Sequence, residues 1–430
     1  MPAALAGAAG LAGAMARLDA LTNWENRPRN MMRVGIEPMR DLMSRLGDPH
    51  RAFRAVHITG TKGKGSVAAL IEAALIRAGL HVGRYASPHV ERVNERVTLD
   101  GREVGDETLA AALDKALDAY EAAKREGTAA TDATWFDLLT AAAFLIFRDA
   151  GAAWGVVEVG LGGRLDSTNV VNGEVAVLTN VELEHTEILG RTREAIAREK
   201  AGILKPGATL VTSLPPDDEA GRVARAIAAE RGSDVAWVPA GEDESIDESN
   251  AALAGEALAR LGERGVLTRS GAPLGPALLD LEARAAARLV GRMERTSVRT
   301  ASGSVAVVLD GAHVPFNIAH VLRDLKRAPD LAGPAVAVVA LAGDKDAAGF
   351  VRELGRGAST IVFTDLPSST RGRPAAELAA LAASLGLEAE AEADPAKALK
   401  RALALAAERS AWVLVTGSLY LVGALRGELR

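Results

Sequence analysis

The sequence has 430 residues, of which 48% are hydrophobic and 25% charged, and its formal net charge is -6. A chain of this length exceeds one ordinary hydrophobic core, so we expect two globular domains. The acidic balance predicts no basic surface for nucleic acid, and the absence of cysteine excludes disulfides, thiolate metal sites and a cysteine nucleophile.

The N-terminal stretch 1–20 is rich in alanine and glycine and has no positive charge before Arg17. A secretory signal begins with a positive region, so we interpret this stretch as an extension or an early helix. No later stretch has the length and apolarity of a transmembrane helix. We therefore expect a cytoplasmic protein with no membrane partner.

The segment VHITGTKGKGSVAAL (56–70) has the pattern of a strand, a glycine turn and the start of a helix. Its glycines let the backbone approach a polyphosphate, and the N–H groups of the turn and of the helix N-terminus then face the anion. Lys64 adds a positive charge, and Ser66 a hydroxyl that can reach phosphate or magnesium. Because Gly65 separates these two residues, the strict GxxxxGK[ST] template is not met. A plain glycine turn with an exposed lysine is the alternative.

Strand and helix patterns alternate along most of the chain, which predicts an α/β fold with mainly parallel strands. The predicted strands include 81–89, 156–159 and 175–181, and the segments 304–317 and 335–350 each have the pattern of a strand that runs into a turn. The predicted helices include 66–78, 107–125, 135–148, 192–204, 249–261 and 281–291. Residues 262–282 are rich in glycine and proline and predict a loop. The alternation begins again after Gly291, so we expect one domain over 1–291 and a second over 292–430.

Polar side chains follow several predicted strands, at the edge where open α/β sheets place ligands. Glu158 stands within a run of valines just before three glycines. A buried carboxylate is unfavourable unless it meets a cation, which favours a metal ligand over a solvated charge. Ser87 lies at the end of the strand 81–89, although a serine before proline also fits a simple turn.

A histidine and a lysine later in the chain have two interpretations each. His185 follows the strand 175–181 and has glutamates on both sides, so it is either a site residue or a surface residue. Lys200 lies near the C-terminus of the helix 192–204, where a lysine often only interacts with the helix dipole.

Together these motifs resemble the folylpolyglutamate synthase and dihydrofolate synthase family, within the Mur-ligase superfamily of ATP-dependent amide ligases. The matching pieces run in the family's order from about residue 35 to 425 and comprise GTKGKGS, SPH followed by NER, WFDLLTAAAF, EVGLGGRLDSTNVV, EHTEILG, EKAGILKPG, GR, DGAH and TGSLYLVG. The resemblance implies a P-loop-containing Mur-ligase-like ATP-binding domain over 1–291, with a mainly parallel sheet. It implies a smaller Rossmann-like α/β ligase domain over 292–430.

The resemblance also assigns roles to residues. ATP would contact a set drawn from both domains, namely Gly60, Thr61, Lys62, Gly63, Lys64, Gly65, Ser66, Asn250, Arg292, Asp310 and His313. Two magnesium sites are implied, one held by Ser87 and Glu158 and the other by His185 together with Lys200. In this family the lysine is carbamylated, and carbon dioxide would convert a repelling cation into an anionic oxygen ligand if burial keeps the amine neutral. Lys64, His185 and Lys200 would be the catalytic residues.

Some positions depart from the commonest family pattern. Lys62 replaces the usual asparagine of GTNGKGS, Glu184 replaces the aspartate of the usual DH pair, and Val314 replaces the asparagine that often follows DGAH. The segment from Arg292 to Asp310 is also a few residues longer than in the common family pattern. These differences concern fine contacts with nucleotide and substrate and leave the expected reaction class unchanged.

The implied activity is ATP-dependent addition of L-glutamate to a folate-type carboxylate through an acyl phosphate. The acceptor would be dihydropteroate, a reduced folate such as tetrahydrofolate polyglutamate, or both, and we expect a monomer. Another amino-acid ligase of the Mur superfamily and a nucleotide-dependent regulatory ATPase are the alternatives. The GKGS and SPH pieces resemble the folate branch more than the GKTT form of the cell-wall enzymes.

Overall fold

The computed structural model describes residues 10–25, 35–239, 241, 244–300, 303–331, 333–366 and 372–429. The chain forms two compact units, Met1–Arg288 and Leu289–Arg430. This division lies close to the boundary predicted after Gly291. None of the described helices is long and apolar enough to cross a bilayer.

The described part of the first unit contains a sheet of eight strands in the order β4-β3-β2-β5-β1-β6-β7-β8. Its strands are β1 (Arg54–Thr59), β2 (Val82–Tyr85), β3 (Val97–Leu99), β4 (Arg102–Glu103), β5 (Trp154–Glu158), β6 (Gly173–Leu178), β7 (Thr209–Thr212) and β8 (Asp234–Trp237). At one edge β3 pairs antiparallel with both β2 and β4, and the other neighbours pair in parallel. The predicted mainly parallel sheet is therefore confirmed, and its carboxyl ends meet along one edge.

Helices cover this sheet. They are α1 (Gly10–Asp19), α2 (Glu37–Arg45), α3 (Lys64–Arg77), α4 (Asp106–Glu126), α5 (Trp135–Asp149), α6 (Thr186–Leu189), α7 (Arg193–Ala201), α8 (Glu219–Glu230), α9 (Ile246–Glu263) and α10 (Leu281–Ala286). α5 is apolar on nearly all sides and is buried in the largest part of the core, as its sequence predicts. Thr134 and Asp137 form a capping box at its start.

The second unit contains a six-stranded sheet in the order β13-β12-β11-β14-β10-β9 among its described residues. The strands are β9 (Glu294–Thr300), β10 (Gly303–Leu309), β11 (Ala335–Val339), β12 (Ala358–Phe363), β13 (Ala389–Ala391) and β14 (Trp412–Thr416). The helices are α11 (Pro315–Lys326), α12 (Ala347–Leu354), α13 (Ala375–Ser384), α14 (Pro395–Arg409) and α15 (Leu419–Arg426). This is a smaller α/β unit in which only β9 pairs antiparallel.

Two elements differ from the sequence-based expectation. The helix predicted over 281–291 ends at Ala286. The segment after Arg292 forms β9, an edge strand that pairs antiparallel with β10 and explains the extra length noted there. Its alternate residues are exposed and polar, so it lacks the continuous apolar run that identified the buried strands.

Candidate active site

The phosphate loop, defined here as residues 60–66, leaves the carboxyl end of β1 in the middle of the first sheet. β1 ends at Thr59 and α3 begins at Lys64, which is the predicted order of strand, turn and helix. Gly60 and Gly63 have positive φ angles of 146° and 84°. A Cβ atom at these glycines would lie 1.8 Å and 2.6 Å, respectively, from neighbouring side-chain oxygens. The close-packed turn therefore requires glycine at both positions.

Two lysines converge on this loop. Lys64 Nζ donates a hydrogen bond to the Gly60 carbonyl oxygen over 3.2 Å, and Lys200 Nζ donates to the same oxygen over 2.8 Å. Lys200 is buried, and burial together with the charge of Lys64 lowers its pKa to about 7. Lys200 therefore lies in the interior, next to the phosphate loop. This excludes the alternative that it is a surface lysine which only interacts with the helix dipole.

Ser87 and Glu158 lie together at the ends of β2 and β5. The Glu158 carboxylate is buried, and its Oε2 accepts a hydrogen bond from the Ser87 N–H over 3.2 Å. Glu158 also pairs with Ile58 in the register of β5 and β1, which places it beside the strand that leads into the phosphate loop. Parallel strands bring these predicted metal ligands to one edge, next to the glycine turn.

His185 reaches the same region from the segment that follows β6. Its backbone has a left-handed φ of 55°, and its Nε2 lies 3.7 Å from Oε1 of Glu184. Glu184 in turn forms an ion pair with Lys62, with Nζ and Oε2 3.2 Å apart. Lys62, which is predicted to contact the nucleotide, therefore pairs with the carboxylate of Glu184 beside His185. Lys62 and Glu184 are both positions that depart from the common family pattern.

Asn250 approaches the loop from α9. It is buried, and its Oδ1 lies where a side chain at Gly63 would extend. Its Nδ2 is buried without a hydrogen-bond partner. An unsatisfied buried N–H group is unfavourable by roughly 1–3 kcal/mol, so such a group beside a phosphate loop favours a ligand contact. The structure therefore brings Asn250 to the predicted site.

The glycine turn at 160–163 is held by residues that the sequence-based prediction did not assign. Thr59 Oγ1 donates to the Gly162 carbonyl over 2.7 Å, and buried Asp166 accepts from Leu161 N–H over 2.8 Å. Burial raises the pKa of Asp166. The sequence DST could have indicated this role of Asp166, because aspartate often accepts hydrogen bonds from backbone N–H groups nearby in a turn.

The remaining predicted residues lie in the second unit. Asp310 follows β10 and accepts hydrogen bonds from the N–H groups of Met293 and Ala312, over 3.0 Å and 2.8 Å. His313 Nδ1 bonds to the Gly311 carbonyl over 2.8 Å. Arg292 is exposed and directly precedes Met293. These residues share one turn region, and their contact with nucleotide stays a prediction.

The other predicted loop residues are Thr61, which is buried, and Gly65 and Ser66, which form the first turn of α3. Among the residues that the structure describes, no group of three or more histidine and acidic side chains is arranged to hold a metal ion. Metal ions in proteins also bind with fewer protein ligands of this kind. Magnesium often binds in this way, through one or two carboxylates plus substrate phosphates and water.

Two family models match the chain. The Mur ligase middle domain matches residues 58–255, and the Mur ligase glutamate ligase domain matches residues 291–419. The first match contains the phosphate loop with Glu158, His185, Lys200 and Asn250, and the second contains Arg292, Asp310 and His313. Each match thus contains the predicted site residues of one unit.

Curated relatives and solved structures agree with these matches. The folylpolyglutamate synthase of Lacticaseibacillus casei is 32% identical over 420 residues, which cover 90% of this chain and 92% of the relative. E. coli FolC in complex with DHPP and ADP is 27% identical with a TM-score of 0.80, and 99% of each chain is covered. A bifunctional folylpolyglutamate synthase/dihydrofolate synthase with Mn, AMPPNP and L-glutamate bound is 27% identical with a TM-score of 0.79, and 98% of each chain is covered. The chain therefore belongs to the folylpolyglutamate synthase and dihydrofolate synthase family of Mur ligases.

Proposed function

We propose that this chain is an ATP-dependent carbon–nitrogen ligase that adds L-glutamate to a folate-type carboxylate through an acyl phosphate. The observation that carries the proposal is the meeting of Lys64, Lys200 and Glu158 around one glycine-rich loop at the carboxyl edge of a parallel sheet. The ADP, AMPPNP, Mn and L-glutamate present in the similar structures support ATP, a divalent metal and glutamate as ligands here.

The reaction needs ATP because a carboxylate oxygen is a poor leaving group. A carboxylate oxygen of the acceptor attacks the γ-phosphorus, ADP leaves, and an acyl phosphate forms. The α-amino nitrogen of glutamate then attacks the acyl carbon, inorganic phosphate leaves, and the nitrogen loses a proton. The result is an amide, ADP and phosphate, with one glutamyl unit added.

Lys64 and the loop amides supply the electrostatic part of the first step. Negative charge shifts from the γ-phosphoryl group toward the β-phosphate as the phosphoryl group moves. The Lys64 ammonium, which hydrogen-bonds to the neutral Gly60 carbonyl, would exchange this acceptor for a charged phosphate oxygen. A charge-assisted hydrogen bond is about twice as strong as a neutral one, so the exchange favours nucleotide binding.

Ser87 and Glu158 fit a magnesium ion. Ser87 has a hydroxyl and Glu158 a carboxylate, and the two residues are neighbours because the Ser87 N–H donates to Glu158 Oε2. Mg²⁺ commonly completes its octahedron with phosphate oxygens and water. When bound, the metal would offset charge on the transferred phosphoryl group. A bound ion would also offset the unfavourable burial of the Glu158 carboxylate.

The second predicted metal site, at His185 and Lys200, has a different requirement. An ammonium group repels a metal ion, so Lys200 does not fit that role while it is protonated. With a pKa of about 7, roughly half of the amine would be neutral at pH 7 and able to react with carbon dioxide. Carbamylated Lys200 is therefore part of the proposal, as a residue that would hold a second metal ion together with His185.

The test is turnover of the purified chain with ATP, Mg²⁺, L-glutamate and either dihydropteroate or tetrahydrofolate. ADP release that requires both co-substrates, with a glutamylated product in the mass spectrum, supports the ligase. ADP release without an acceptor would instead support a regulatory ATPase, and glutamylation of neither acceptor would favour another ligase of the superfamily. Comparing the two acceptors identifies the substrate.

We propose that the active form is a cytoplasmic monomer.

A further inference from the structure

Asn180 joins two parts of the candidate site that are far apart in sequence. It begins the His185 segment, defined here as residues 180–185. Its Oδ1 accepts a hydrogen bond from the Lys62 N–H over 3.0 Å, and its Nδ2 donates to the Lys62 carbonyl over 3.2 Å. One amide side chain thus bonds to both backbone groups of a residue in the phosphate loop, and the Lys62 carbonyl also accepts a hydrogen bond from Thr179 Oγ1.

Other bonds connect the same two segments. The Thr61 N–H donates to the Asn180 carbonyl over 3.0 Å, and the Glu182 N–H donates to Thr61 Oγ1 over 3.0 Å. The side chains of Lys62 and Glu184 add an ion pair. The segment that carries His185 is therefore hydrogen-bonded to the phosphate loop along much of its length.

Hydrogen bonds of this kind reduce the conformational freedom of a glycine-rich loop. Gly60 and Gly63 give the loop a large conformational freedom, and fixing one backbone residue takes about 1–2 kcal/mol of conformational entropy. A loop whose amides are already held in place loses less entropy when it binds phosphate. The Asn180 side chain provides this order because its two bonds reach the centre of the loop.

We propose that Asn180 is a positioning residue that fixes the phosphate loop against the His185 segment, so that nucleotide and metal bind to one preorganised unit. This inference rests on the proposed function for its catalytic consequence. Nucleotide binding and metal binding should then be thermodynamically coupled through this residue, and loss of its amide should weaken that coupling.

The residue type matters because asparagine supplies both a donor and an acceptor at this distance. In Asn180→Asp the acceptor remains, but the donor to the Lys62 carbonyl is lost and a carboxylate oxygen faces that carbonyl. In Asn180→Ala both bonds are lost. The two variants therefore test the hydrogen bonds with and without a change in side-chain shape.

The experiment measures the affinity of the full chain for ADP by calorimetry, with and without Mg²⁺. In the wild type we expect Mg²⁺ to strengthen ADP binding. In Asn180→Asp and Asn180→Ala we expect ADP affinity to fall about tenfold and the strengthening by Mg²⁺ to shrink, since the loss of a hydrogen bond changes binding by about that much. In turnover, KM for ATP should rise while KM for glutamate stays within about twofold of wild type.

Ser213→Ala is the matched control. Ser213 Oγ donates to the carbonyl of Thr179, the residue before the His185 segment, and makes no hydrogen bond to the loop among those found. This variant should keep the wild-type response to Mg²⁺. If either Asn180 variant fails to fold, the remaining variant carries the test, and Asn180→Ser offers a smaller change.

Unchanged ADP affinity and an unchanged Mg²⁺ response in the folded Asn180 variants would overturn the inference. So would an equal loss in Ser213→Ala, because that result would indicate a general effect on the segment. A wild-type chain that binds ADP but forms no amide would contradict the proposed function alone, since the role of Asn180 is measured by binding.

Discussion

The side chains of Lys64 and Lys200 share one hydrogen-bond acceptor, the carbonyl oxygen of Gly60, at 3.2 Å and 2.8 Å. Two ammonium groups on one oxygen repel each other, and burial adds to the unfavourable energy of the charge on Lys200. The protonation of the buried lysine therefore depends on the phosphate loop. This link connects the group proposed to contact ATP with the group proposed to become a carbamate.

Replacement of Lys64 tests its role in phosphoryl transfer. We expect Lys64→Ala to lower kcat by about a hundredfold or more, because one preorganised charge opposite the moving phosphoryl group is lost. The unfolding midpoint should stay close to wild type, since the one hydrogen bond found for this ammonium joins it to a loop carbonyl. Lys124→Ala, at an exposed position of α4, is the control and should keep full activity. A fully active Lys64→Ala variant would refute the assignment.

Lys200 should make stability depend on pH. Its pKa is lowered from 10.5 to about 7 on folding, so the unfolded chain binds one more proton than the folded chain between these values. Stability should therefore rise with pH across this window, by up to about 1.4 kcal/mol per pH unit. Urea unfolding of wild type and Lys200→Met at pH 7 and pH 9, in buffers free of carbon dioxide, measures the difference. Equal slopes for both proteins would contradict the lowered pKa.

Replacement of Glu158 tests the first metal site. Glu158→Gln keeps the size of the side chain but removes its negative charge, so the Mg²⁺ concentration for half-maximal activity should rise about tenfold or more. Glu174→Gln is a suitable control, because Glu174 lies in β6 at the opposite end of the sheet and pairs with Arg54. The measurement is ADP release during a Mg²⁺ titration. A Glu158→Gln variant with the wild-type Mg²⁺ dependence would exclude this residue as a ligand.

His57 should make the protein sensitive to acid. This histidine is fully buried in β1, donates from Nε2 to Thr168 Oγ1 over 2.9 Å, and has its pKa lowered to about 3 by burial. As pH falls below 6.5 the unfolded chain takes up a proton that the folded chain does not, so stability decreases. The loss is about 2 kcal/mol between pH 6.5 and pH 5.

His57→Gln keeps a donor near the position of Nε2 but cannot be protonated. Its stability should fall less than that of wild type between pH 6.5 and pH 5, as measured by urea unfolding at the two values. A second histidine, His89, has its pKa lowered to about 4, again mainly by burial, and contributes to the acid sensitivity of both proteins. Identical losses in wild type and variant would contradict the prediction for His57.

The sequence predicts the parts of this protein that follow from strand periodicity and strand ends. The α/β fold, the family and the ligase class are confirmed by the fold and the comparisons. Strand patterns placed Ser87 and Glu158 at or near strand ends, and the family resemblance implied that they belong together. They are neighbours in the structure because the carboxyl ends of adjacent parallel strands lie at one edge.

Contacts made by loops could not be predicted in this way. Asn180 and Lys62 meet because of the path of the chain after β6, which has no periodic pattern. β9 was missed because an exposed edge strand with alternating polar residues resembles a loop. The burial of Lys200 depends on how α7 packs against the phosphate loop, so its position in the helix suggested a surface residue instead.

The most direct test of the central claim follows the oxygen atoms of the acceptor carboxylate. Its oxygens are labelled isotopically, and the chain is incubated with ATP, Mg²⁺ and L-glutamate. If an acyl phosphate forms, one labelled oxygen leaves with the γ-phosphoryl group, so the account predicts label in inorganic phosphate in a one-to-one ratio with amide formed. Amide formation with no label in the phosphate would contradict the acyl-phosphate mechanism.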